Sequence, residues 1–191
     1  MSIIKEEFND KQFEGKVFDL IKFVEDGEVE LADGTKIIGK KGEEIELPIS
    51  YNLVVDSFSK LIATLLKGDT SYFNNLYWEV GSGNEQWSDA SPPSPIASDE
   101  SLLAPLFRKK INKEDVEYLD SSGKVTTAIT NRLQMSALFK STESNGYLRE
   151  FGIFAGGNST LGSGIMINRK THGVIFKSTG VELHRKIQFK F

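Results

Sequence analysis

The chain has 191 residues, 39% hydrophobic, 26% charged and 10% aromatic, which is the composition of a globular protein with one full core rather than of a disordered, collagenous or coiled-coil chain. It contains no cysteine, so disulfides, thiolate metal sites and cysteine nucleophiles are excluded together. A formal net charge of −4 gives no ground for general nucleic-acid binding, and no apolar run approaches the about 20 residues that cross a bilayer as a helix.

The start MSIIKEEFNDK is acidic and polar where a signal peptide would be basic and then apolar, so folding in the cytoplasm without membrane insertion is expected. From there on, two-residue alternation dominates, in runs of strand length separated by Gly, Asp, Asn and Ser clusters. Residues 16–24 (KVFDLIKFV) form the first run. A hairpin is expected near residues 28–40, because Asp33-Gly34 suits the positive-φ positions of a tight turn. Residues 44–51 place Ile45, Leu47, Ile49 and Tyr51 on one face, with Pro48 marking an edge or a strand end. The period then changes: apolar residues at 54, 55, 58, 61, 62, 65 and 66 predict one amphipathic helix over about residues 56–67, with Asp56 as N-cap, Gly68 as stop and the apolar stripe packed as core.

After a strand over residues 76–80, residues 81–98 (GSGNEQWSDASPPSPIAS) hold three of the five prolines and no alternation, which predicts a long loop. Further strands are expected at 102–111, 116–120, 125–129, 132–139, 147–154, 165–169, 173–176 and 181–191, with a Gly-rich connection at 155–164. About ten short strands and one helix fit an antiparallel β-sandwich better than a βαβ fold. Residues 1–50 are expected as an N-terminal β segment or small subdomain, and 51–191 as the sandwich with its helix.

Motifs that carry chemistry are scarce. The Gly-rich stretch matches neither phosphate-binding pattern, His172 and His184 show no metal-ligand spacing, and no GxSxG elbow is present. No cofactor, metal or catalytic residue is therefore assigned, although paired carboxylates of a glycosidase are not readable from sequence. Trp87, with Pro92 and Pro93, is a candidate interface on the long loop. Residues 1–50 hold 13 acidic and 7 basic residues, and residues 168–191 hold 6 basic and one acidic. These opposite charges can meet within one fold or between copies, which makes Arg185 and Lys186 further interface candidates. In Arg149-Glu150 and Asn168-Arg169, alternation sends one of each pair inward, and a Glu150–Arg169 ion pair fixing strand register is expected.

The run YLREFGIFAGGNSTLGSGIMINRKTHGVIFKSTGVELHRKIQF at 147–189 resembles structural proteins of tailed bacteriophages and prophages, in which an LREFG(I/L)F strand precedes a glycine-bearing loop, an M(I/L)NR strand and an H-x-x-I-x-K segment. NLVV at 52–55, WEVGSG at 78–83, the WSDASPPSP loop, LFRK at 106–109 and TNRL at 130–133 agree in order, so the resemblance spans about residues 51–191. It implies a non-enzymatic virion component of a tail, baseplate or fibre, or of a phage-tail-like contractile particle, with other virion or tail proteins as partners and a homo-oligomeric state. The alternatives are a capsid decoration or head-fibre protein, and a carbohydrate-binding sandwich that recognises a host-surface glycan with Trp87, Tyr72 or Tyr77 as stacking platform.

Overall fold

The computed structural model describes residues 14–31 and 33–191; the acidic start of the chain, residues 1–13, lies outside them. In chain order the elements are β1 (Glu14–Phe23), β2 (Gly27–Glu30), β3 (Lys36–Gly39), β4 (Glu44–Glu46), β5 (Ser50–Val54), α1 (Ser57–Leu66), β6 (Leu76–Gly81), β7 (Pro105–Ile111), β8 (Val116–Leu119), β9 (Val125–Thr126), β10 (Arg132–Phe139), β11 (Gly146–Ala155), β12 (Ile165–Lys177) and β13 (Val181–Lys190). Among the described residues, 11 strands form one antiparallel sheet in the order β7-β6-β11-β12-β5-β1-β13-β10-β8-β9, with β4 beside β5 on β1. The β2–β3 hairpin is a separate ladder, joined to the sheet by the Leu31–Ile175 bridge and by Val29 in the core. Its turn is the one Asp33-Gly34 predicts: Gly34 takes φ +78°, and the Asp33 carboxylate accepts the Thr35 amide at 2.8 Å.

The long sheet bends so that its halves face each other as a sandwich. Alternation supplies the inner faces: Val17 and Ile21 from β1 and Leu183, Ile187 and Phe189 from β13 meet Trp78, Val80, Leu148, Phe151 and Ile153 from β6 and β11, all at 4% exposure or less. Each such large apolar side chain contributes about 1.5–3 kcal/mol on burial. Trp78 and Phe151 pack at 5.3 Å between ring centroids, and Phe107 of β7 meets Phe139 of β10 edge-on at 6.2 Å. β12, expected as two strands, is one strand with a bulge, and residues 82–104 form the long loop, which lies across β11 and β12.

Helix α1 starts where expected, but Asp56 makes no side-chain cap; Ser57 instead anchors this end by donating its hydroxyl to the Met166 carbonyl at 2.6 Å. Its C-terminus is a Schellman motif: the Gly68 amide donates to Leu65 O at 3.0 Å and the Asp69 amide to Thr64 O at 2.9 Å, with Gly68 at φ +92°. Phe58 and Leu61 are buried, whereas Leu65 and Leu66 are 42% and 84% exposed, so the stripe is core only along its first half. The helix lies on β12 by that half and then runs past the sheet.

Candidate interaction surface and its buried supports

The outer face of β6, β7, β11 and β12 is covered by the 82–104 loop and the Gly-rich 156–164 loop, and its charges are consequently paired under them. Glu79 of β6 and Arg108 of β7 form a fully enclosed ion pair at 2.7 Å. Glu79 also accepts the Gly162 amide at 2.8 Å, and Arg108 donates to Ser163 O at 2.5 Å, so one ion pair pins the Gly-rich loop. The Arg108 guanidinium is sandwiched between Tyr77 and Phe154, 4.4 and 4.9 Å from the ring centroids. Tyr77 is therefore buried rather than a stacking platform, and Tyr72 packs its ring where a side chain on Gly156 would stand.

Glu150 and Arg169 meet at 2.7 Å across β11 and β12, with the Glu150 side chain at 0% exposure. The second Glu150 oxygen accepts the Ala104 amide at 2.8 Å, and Arg169 reaches Asp99 at 3.0 Å. Strand register and the far end of the 82–104 loop are thus held by one cluster. Asn168, next to Arg169 on β12 and facing inward, accepts the Ile153 amide at 3.1 Å.

Arg185 corrects the sequence expectation. Its phase along β13 is that of Leu183 and Ile187, so it points into the core at 0% exposure and is not an interface residue. Asp19 of β1 holds it through two bonds of 2.6 and 2.8 Å, and the guanidinium lies 4.3 Å from the centre of the Phe151 ring. Acidic and basic chain ends therefore meet inside one fold at this point. His172 of β12 sits beside them, Nδ1 2.7 Å from Gly173 O and Nε2 3.5 Å from Arg185 Nη2. Burial, and then the charge of Arg185, push the His172 pKa down to about 3. Burial likewise lowers the neighbouring Lys170 amine.

Trp87 lies half-buried over Gly83 and the Arg149 stem, where the absence of a Cβ on Gly83 leaves room for the indole. Pro92 is half-buried and Pro93 exposed, with the Pro93 carbonyl accepting the Thr171 hydroxyl at 2.5 Å. These three residues therefore belong to a strapped loop. Lys186 faces the other way from Arg185, into an open groove of about 370 Å³ on the outer face of β1, β10 and β13. Phe18, Leu20, Leu47 and Ile49 give the groove an apolar floor and wall, and Lys186, His184 and Glu46 give it charge. Its sequence signal was the apolar residues on both faces of β1: Val17 and Ile21 inward, Phe18 and Leu20 outward. A second exposed feature is the cross-strand ring pair Tyr147–Phe176, 56% and 37% exposed with centroids 4.9 Å apart.

Among the described residues, no cluster of three or more His, Asp or Glu side chains is arranged to hold a metal ion, and no helix is long and apolar enough to cross a membrane. The arrangement offers an apolar groove with a charged rim and a pair of exposed rings. No known protein family matches the chain, and no curated protein matches it.

Proposed function

We propose that this chain is a non-enzymatic structural subunit of a phage tail, baseplate or fibre, or of a phage-tail-like contractile particle, acting through protein–protein assembly. The observation that carries the reading is that the segments behind the resemblance to phage structural proteins contact one another in space. Glu79 of WEVGSG pairs with Arg108 of LFRK, and Glu150 of LREFG pairs with Arg169 of MINR. Asp89 of the WSDASPPSP loop accepts the Val174 amide at 3.2 Å, and Leu133 of TNRL stands opposite Phe189 in the β10–β13 ladder. What the segments have in common is a framework of mutual contacts, with the Glu79–Arg108 and Glu150–Arg169 pairs enclosed in it, and a shared framework is the property that carries from one assembly subunit to another.

In this reading the groove around Lys186 is a contact face for neighbouring subunits, identical or not. The test is mass photometry of the purified chain together with negative-stain imaging of source particles labelled on it. A defined oligomer located on the tail or baseplate supports the proposal, and a stable monomer absent from particles refutes it. The exposed Tyr147–Phe176 pair favours one second reading, a carbohydrate-binding sandwich, because saccharide rings stack on such faces. Loss of glycan-array binding in Tyr147→Ala with an unchanged melting temperature would establish that reading.

A further inference from the structure

The middle of β12 is the least laddered part of the sheet. Between the pairs Leu148–Ile175 and Glu150–Thr171, the single residue Arg149 of β11 stands opposite His172, Gly173 and Val174, so these three form a bulge. On the other side, β5 pairs with β12 only through Asn168 and Arg169. The bulge is held instead by side chains. Thr171 donates to Pro93 O at 2.5 Å and the Val174 amide donates to Asp89 at 3.2 Å, and these two bonds flank His172 and tie the 82–104 loop to the strand.

His172 connects this stretch to the opposite layer. Its short contact to Gly173 O requires a proton on Nδ1, which leaves Nε2 as a lone pair facing Arg185. The neutral ring satisfies both neighbours. A second proton on Nε2 would face a guanidinium 3.5 Å away. Among the described residues the nearby carboxylates are already engaged, so they offset it only in part: both Asp19 oxygens are held by Arg185, and Asp89 is turned to Arg149 and the Val174 amide. From β12 itself Lys170 adds positive charge, and β11 brings the Phe151 ring to 6.2 Å while its Arg149 is paired with Asp89.

We propose that His172 is an acid-sensitive latch: neutral, it holds the bulge of β12 against β13 and keeps the 82–104 loop anchored, and protonated, it releases both. The device regulates which face of the loop, Trp87 included, is presented to a partner, and it does not depend on what that partner is. The depressed basicity of His172 has the sign this requires. In the released state the ring titrates near its ordinary value of 6.5, so the opening equilibrium grows about tenfold per pH unit below that value and about 25-fold from pH 7 to pH 5.

Hydrogen-exchange protection factors, corrected for intrinsic rates, test this in the whole chain. Protection at residues 84–95 and 170–175 is expected to fall about 25-fold between pH 7 and pH 5 while β1, β10 and β13 keep theirs. In His172→Gln, whose amide can donate to Gly173 and accept from Arg185 but cannot titrate, the fall should vanish. An equal fall in the variant, no fall in the wild type, or a loss spread evenly over the sheet would each overturn the latch. If the variant does not fold, NMR titration of His172 in the wild type decides: a midpoint below about 5.5 supports the proposal, and one at or above it refutes it.

Discussion

Glu150→Ala probes how much a single buried carboxylate holds. The side chain is fully enclosed, and truncation removes both the 2.7 Å pair with Arg169 and the acceptor of the Ala104 amide at 2.8 Å. Removing one partner of a buried pair costs about 3–5 kcal/mol, and the half-buried Ala104 amide left without its acceptor is part of such a loss. Arg169 retains Asp99 at 3.0 Å as a counter-charge, which places the expected loss at the lower end, about 3 kcal/mol. For a chain of this size that is a drop of about 6–12 °C in melting temperature. Urea unfolding at pH 7 with an unchanged m-value measures it. The exposed pair Lys22–Glu44, at 3.2 Å, is the control: Glu44→Ala should stay within about 0.5 kcal/mol. A loss under about 1 kcal/mol for Glu150→Ala, or equal losses for the two variants, would refute the argument that burial sets the cost.

Asp19→Ala leaves the Arg185 guanidinium buried without its counter-charge and should cost about 3–5 kcal/mol, whereas Asp19→Ala with Arg185→Met should recover much of it by packing an apolar chain on Phe151; denaturant melts of both variants decide, and a double variant no better than the single refutes it. Gly68→Ala puts a Cβ at φ +92° in open space, so its cost should be backbone strain alone, about 1–2 kcal/mol by urea melt, and no change would show that the Schellman geometry is not required. Burial lowers the Lys177 amine to about 8, against the opposing pull of Glu143 and Glu182. Its folded value then lies below its unfolded one, the folded state binds fewer protons between those values, and stability should rise with pH from about 8 to 10.5 in the wild type but not in Lys177→Met. Urea midpoints at three pH values in that window check the sign.

Where the sequence was legible, the reason is periodicity. The alternation of β13 places residue 185 in phase with Leu183 and Ile187, so the inward direction of Arg185 was already written there; its partner was not, because Asp19 lies 166 positions away. Glu150 and Arg169 were readable as a pair because each is a charged residue set among apolar neighbours, on strands joined by one connection. Glu79 and Arg108 were not, since their burial depends on two covering loops that have no period of their own. The cap at Asp56 failed for a similar reason: residue type marks a helix start, but the tertiary contact of Ser57 with β12 supplies the bond that holds it. The groove around Lys186 depends on how the segment from β4 to β5 overhangs the sheet, which no local pattern encodes.

The placement of β13 has a consequence for biosynthesis. Nine consecutive residues of β1, from Gly15 to Phe23, pair with β13 from Phe189 back to Val181, and β10 occupies the other side of β13. Until residue 190 has left the ribosome, β1 and β10 have no strand between them and the sheet cannot close. Closure of the sheet therefore waits for the whole of β13, is slowed by high contact order, and leaves the edges of β1 and β10 exposed meanwhile to pairing with other nascent chains. A chaperone that shields those two edges until β13 has emerged would limit such mispairing.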